Sequence, residues 1–213
     1  MEERPAFVKP PWQAPPPVTM EYRPTGPPRE CPQELSIYTD GSCRNRRTGA
    51  GWYIPKLDRS WKATIGNSPG TDALFAELWA IHHGLVALVA LKTLLRPGYP
   101  QARFLCDSKR ALGLIRRPDG SKDGILRCIF TELDEITAAR IQVSFQWIPA
   151  HQGIPGNEIA HRAAQAATTR EAVPRDSQKR VLRETITMGK TQGSKQSVRF
   201  SVYCQALLKQ SVQ

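Results

Sequence analysis

The stretch ELSIYTDGS, residues 34–42, decides how this chain folds. From Ser36 to Thr39 it is rich in β-formers, and Asp40-Gly41-Ser42 reads as a stop. GAGWYI (49–54) and SWKATIG (60–66) follow at short spacing with turn residues between, which predicts an antiparallel meander of three strands. Then the period changes. Leu74, Leu78, Ile81, Leu85, Leu88, Leu91 and Leu95 recur every three or four residues, one face of a helix. ARFLCD (102–107) is a short buried strand, and SKRALGLIRR (108–117) a helix with Ser108 as N-cap. GILRCIFTELDEITAAR (124–140) is a second amphipathic helix, QVSFQWI (142–148) an alternating strand, and GNEIAHRAAQAATT (156–169) a closing helix. This order predicts an α/β domain with a mixed five-stranded sheet, three antiparallel strands and then two more, flanked by helices.

The 213 residues suffice for one such domain with tails. Ten of the 18 prolines fall before residue 33, so residues 1–32 read as a proline-rich disordered leader and 33–170 as the domain. Residues 171–213 hold eight Lys and Arg against three Asp and Glu, a basic tail with part-helical character. The net charge of +11 favours a polyanionic partner, nucleic acid ahead of an acidic membrane face. Five cysteines (31, 43, 106, 128, 204) with no C-x-x-C pair read as free thiols in a reducing compartment. The opening MEERPAFVKPPWQ is charged and broken by proline, unlike a secretory signal. The longest apolar stretch, 73–95, contains Glu77, His82, His83 and Lys92 and reads as a buried helix, not a membrane span. A cytoplasmic or nuclear monomer with no membrane and no small-molecule cofactor is expected.

Asp40 and Asp107 each close an apolar run (LSIYTD and RFLCD), which sets both at the rim of a sheet. Glu77 lies between Leu74 and Ile81 on the edge of the helix's apolar stripe, with no lysine or arginine within a turn. A carboxylate against a core is costly unless something pairs with it. Three such groups on neighbouring elements repel each other, and a divalent cation is the usual resolution. Taken separately, each also has an ordinary reading: a turn Asp, an Asp favoured by a helix dipole, a surface Glu.

In their order and spacing, IYTDGS (37–42), FAELWAI (75–81), FLCDSKRAL (104–112) and FQWIPAHQGIPGNEIA (145–160) resemble the type 1 ribonuclease H family. Within it, they look most like the ribonuclease H domains of eukaryotic non-LTR retrotransposons, over about residues 33–170. The resemblance implies an endonuclease that cleaves the RNA strand of RNA–DNA hybrids. It implies two Mg²⁺ ions, replaceable by Mn²⁺, about 3.5–4 Å apart at the scissile phosphate. By position, Asp40 resembles the carboxylate bridging both ions, Glu77 and Asp107 the ligands of one, and His151 the loop histidine that assists leaving-group or product departure. Gly41, Ser42 and Asn45 match hybrid contacts in the first turn, and Asn157 the residue that orders the last loop. Arg116, Arg117 and Lys122, in IRRPDGSKDG (115–124), fall where backbone phosphates can be bound. No reverse-transcriptase-like stretch precedes the domain, so the chain reads as a fragment or domesticated piece of a retroelement.

One departure matters. The family's last motif ends G-N-E-x-A-D, and this chain has His161 where the fourth carboxylate belongs. Neutral imidazole brings no negative charge and prefers softer ions than Mg²⁺. Losing a unit charge beside a divalent ion is worth several kcal/mol even at an effective dielectric of about 20. His161 keeps the capacity to ligate Mn²⁺, and Glu158 is the alternative carboxylate. Impaired cleavage is therefore expected. The alternative function is a non-catalytic module that binds hybrid or other nucleic acid. His82 and His83 are read as packing residues.

Overall fold

Strand β2 (Glu34–Arg44) is the spine of the domain, and its alternation sets the layers. Leu35 and Ile37 enter the main core on one face, and Tyr38 enters a smaller cluster with Leu105, Ile148 and Ala160 on the other. The computed structural model describes residues 31–66, 72–91, 101–116 and 124–169, and the backbone of 18–21. Among these, β1 (Val18–Glu21), β2, β3 (Arg47–Ile54), β4 (Arg59–Gly66), β5 (Gln101–Cys106) and β6 (Gln142–Trp147) form one sheet in the order β1-β6-β5-β2-β3-β4. The meander β2-β3-β4 is antiparallel, and β1, β6, β5 and β2 run parallel. The five strands expected from the sequence are therefore present in a mixed sheet.

Two details differ from expectation. Residues 18–21, assigned to a disordered leader, add a sixth strand by pairing with Val143–Gln146. Proline density hid them, because VTME is a proline-free gap whose backbone groups find partners only at a sheet edge. Asp-Gly-Ser does not stop β2. The strand continues through Asp40↔Gly51, Gly41↔Ala50 and Ser42↔Gly49 to Arg44, and the turn is Asn45-Arg46. Both turn residues have positive φ, 50° and 62°, as a two-residue hairpin requires. The basic tail and Leu95 lie outside the described residues.

Helix α1 (Ala73–Leu91) starts where the Asp72 carboxylate accepts a hydrogen bond from the Phe75 N–H at 2.8 Å. It is apolar nearly all round, with mean hydropathy 1.7, long and apolar enough by composition to cross a membrane. Here 72% of that apolar window is buried, between the sheet and α3 (Gly124–Ala138). Helix α2 (Lys109–Arg116) is capped by Ser108, whose Oγ accepts from the Ala111 N–H at 3.2 Å.

Helix α4 (Pro155–Thr169) covers the other face, and it sits on bare backbone. A Cβ at Gly51 would lie 2.7 Å from Ala164 N, one at Gly49 2.5 Å from Ala164 O, and one at Gly156 2.3 Å from the Tyr38 ring. This close approach brings α4 over Asp40.

Candidate active site

Parallel pairing between β2 and β5 ends at Thr39↔Cys106. The next residue on each strand is acidic, Asp40 and Asp107. Beyond this point β2 pairs only with β3, so the sheet opens a notch at the carboxyl end of its parallel strands. Both aspartates stand at its mouth, and α1 supplies Glu77 from one face.

Glu77 is placed by a contact that only glycine permits. A Cβ on Gly41 would lie 2.4 Å from Glu77 N and 2.6 Å from the Ala76 carbonyl carbon. With no side chain there, α1 rests on β2 and the Gly41 N–H donates to the Glu77 carboxylate. Gly41 and Ser42 thus sit in the strand, not in a turn, and Ser42 is buried. Burial, then the charges of Asp40 and Asp107, hold the Glu77 pKa well above its usual range, against the hydrogen bonds from Gly41 and Cys106. Burial first, then Asp107, pushes Asp40 up to about 8, while His151 pulls it down.

Ligand atoms of Glu77, Asp107 and Cys106 lie within 4.8 Å of one another. The Cys106 thiol is 3.7 Å from Glu77 Oε2. Its place in this group is not legible in the sequence: neighbours on a strand point to opposite faces, and only the bend right after Cys106 swings Asp107 to the same side. Asp107 is held by two hydrogen bonds, and the residue before it by a third. Asn157 Nδ2 donates to its Oδ2 at 3.3 Å, Trp147 Nε1 donates to its carbonyl at 2.9 Å, and Ile148 N–H donates to the Cys106 carbonyl at 3.1 Å.

His161 faces the carboxylates. His161 Nδ1 lies 3.1 Å from Asp40 Oδ2, and Nε2 is hydrogen-bonded to the Gln165 amide; with that amide nitrogen as the donor, the ring proton is on Nδ1, which donates to Asp40. In this tautomer neither ring nitrogen presents a lone pair to the site. His151, exposed on its loop at φ 53°, stands edge-on to His161 with ring centroids 5.0 Å apart. Asn45 is at the exposed hairpin tip and Arg116 is exposed at the end of α2, and Arg117 and Lys122 lie outside the described residues. His82 is a buried core residue, and His83 stacks on Trp61 with centroids 4.2 Å apart.

The donor atoms that meet closely are those of Glu77, Asp107 and the Cys106 thiol; Asp40 stands outside that group but near enough for its charge to act on Glu77 and to feel that of Asp107. The three carboxylates, mutually repelling and with no lysine or arginine making an ion pair to any of them among the described residues, fit a hard divalent cation. A mixed sheet notched at an acidic strand end, with one helix delivering a glutamate and another covering the opposite face, defines a ribonuclease H-like α/β domain. The RNase H family matches residues 32–169, and the chain belongs to that family. It is 31% identical over 144 residues to the Ribonuclease H of Pseudomonas aeruginosa, covering 62% of this chain and 91% of that protein. It is 31% identical over 138 residues to that of Stutzerimonas stutzeri, covering 59% and 85%. With that of Oleidesulfovibrio alaskensis it shares 28% identity over 158 residues, covering 68% and 97%.

Proposed function

We propose that this chain is an endonuclease that hydrolyses the RNA strand of RNA–DNA hybrids with divalent metal ions, at a rate reduced by His161. The observation that carries the reading is the meeting of Glu77 and Asp107 within 4.8 Å, beside Asp40, in a domain of the RNase H family. Asp40, Glu77 and Asp107 would hold the ions, Mg²⁺ or Mn²⁺, which would supply charge stabilisation to the phosphate.

The remaining roles fall to the chain's own residues. Gly41 N–H and the Cys106 thiol fix the Glu77 carboxylate, and Asn157 fixes that of Asp107, so both are oriented before substrate arrives. His151, on an exposed loop, delivers a proton to the departing oxygen. His161 occupies the place of a fourth carboxylate but donates to Asp40, which removes a negative charge and engages an Asp40 oxygen. Impairment follows from both effects. The likeness of the four sequence segments to retrotransposon ribonuclease H domains supports an origin in such an element.

The engagement of both His161 nitrogens favours a second reading, a module that binds hybrid without cleaving it. One experiment separates the two. A labelled hybrid is incubated with the full chain in Mg²⁺ or Mn²⁺, beside Asp107→Asn, while binding is measured in parallel. Metal-dependent cleavage lost in the variant supports the nuclease, and binding without cleavage in either metal supports the module. An RNA strand left uncut with no hybrid bound would refute both.

A further inference from the structure

Beyond the carboxylates, β2 and β3 run on as a two-stranded hairpin whose tip carries three arginines in four residues, Arg44, Arg46 and Arg47. All three are exposed, and none of their side chains makes an ion pair or hydrogen bond among the described residues. Arg44 and Arg47 are direct cross-strand partners, an arrangement of like charges that weakens a hairpin. Arg46 takes a left-handed conformation, φ 62°, at the turn position that glycine fills most easily. The local chemistry of the hairpin therefore opposes these residues, and no acidic side chain among the described residues pairs with them.

Their placement points to an external anion. By the two-residue period of β2, Arg44 lies on the same face of the strand as Asp40 and Ser42, and Arg47 opposite it shares that face. The tip projects beyond the same end of the sheet that bears Asp107. Four residues of strand separate Arg44 from Asp40, about 13 Å. A duplex carries one phosphate per strand for about every 3.4 Å of axis, so this spacing is about four base-pair steps.

We propose that the β2–β3 hairpin tip is a second nucleic-acid contact, in which Arg44, Arg46 and Arg47 bind backbone phosphates about four base-pair steps from the candidate active site. This rests on the reading of the domain as one that takes RNA–DNA hybrid. The contact is to phosphates, so it adds affinity and sets the position of the duplex without reading sequence. An anionic membrane surface would also attract three arginines, but their alignment with the acidic notch favours a rod of phosphates long enough to touch both.

The test uses the full chain and a hybrid of about 20 base pairs, with affinity measured across salt concentration. Three phosphate contacts contribute about 2.7 to the salt slope, so between about 50 and about 200 mM salt the unmodified protein should lose about 40-fold more affinity than R44A/R46A/R47A. In cleavage, that variant should raise KM and leave kcat unchanged. A second variant separates binding from folding. Arg47→Glu turns the like-charge pair into an opposite one, so its melting temperature should hold or rise while hybrid affinity falls. Equal salt slopes in unmodified and triple-variant proteins would overturn the proposal while leaving the nuclease reading intact. Failure of the unmodified protein to bind hybrid would overturn both. Binding to vesicles of anionic lipid that needs the arginines, with hybrid affinity independent of them, would move the site to a membrane and also overturn it.

Discussion

Gly41→Ala tests whether the approach of α1 to β2 is what builds the site. The added methyl would meet Glu77 N at 2.4 Å, the Ala76 carbonyl carbon at 2.6 Å and Ala76 Cβ at 2.8 Å, all rigid parts of α1. No rotamer can relieve this. To bring the shortest contact to an ordinary 3.4 Å, the helix must move about 1 Å. Overpacking of this kind costs about 1–3 kcal/mol. With an unfolding entropy of about 2.1 cal/mol/K per residue over a domain of roughly 140 residues, the melting temperature should drop by about 3–10 °C. The functional loss should be larger in proportion, because the carboxylate that moves is Glu77 and a displacement of about 1 Å in a catalytic group typically costs about 100-fold in rate. Calorimetry and hybrid cleavage on the same sample read both. Gly113→Ala is the control: a Cβ there meets nothing within 4 Å, and in α2 alanine should add up to about 1 kcal/mol of stability. If Gly41→Ala cleaves like the unmodified protein, Glu77 does not need its observed position and the derivation of the site fails.

Asn157→Ala removes the hydrogen bond to Asp107 and should lower cleavage by about 10–100-fold, with KM for hybrid little changed. A fall confined to KM would instead make Asn157 a substrate contact. His161→Asp restores a fourth carboxylate and should raise Mg²⁺-supported cleavage at least about tenfold; no change would mean that this position lies outside the chemistry. One contribution to the pH dependence of stability comes from His82, which burial holds down at about 4, with His83 on its own helix and Glu132 of α3, 3.9 Å away, beside it. Below the unfolded value of 6.5 the unfolded chain takes up a proton that the folded His82 refuses, so stability falls between pH 6.5 and 4. The rate is about 1.4 kcal/mol per pH unit, about 3 kcal/mol over the window. Asp40 and Glu77, both held above their usual range, contribute with the opposite sign in the same window, so the test is a difference in denaturant unfolding: relative to His82→Gln, the stability of the unmodified protein should fall by about 3 kcal/mol between pH 6.5 and 4, and an unchanging difference would place the titration elsewhere.

Much of this architecture was legible in the chain, because periodicity reports burial. The long stripe from Leu74, the Ser108 cap and the alternation of QVSFQW each correspond to an observed element. What escaped depends on tertiary partners. Asp-Gly-Ser has turn chemistry, yet β3 offers Gly49, Ala50 and Gly51 as partners, and the ladder overrides propensity. VTME looks like a gap between prolines until β6 presents its edge. At the site, the acidic residue types and their positions on elements could be read directly. The inclusion of Cys106, the hold of Asn157 on Asp107 and the pairing of His161 with both Asp40 and Gln165 are matters of ångströms. One sequence with no partner in view does not encode them separately from the fold.

Because α4 lies on glycine backbone at Gly49 and Gly51, with Gly156 against the Tyr38 ring, its height over the sheet is set by main-chain atoms rather than by side chains. Position 161 is thereby a fixed socket above Asp40. Whatever residue occupies it projects from the same Cα, and its replacement leaves the packing below untouched. Selection on folding and selection on chemistry act on different atoms here. Exchange of histidine for aspartate at this socket therefore changes the charge presented to Asp40 while leaving the main-chain contacts that seat α4 in place.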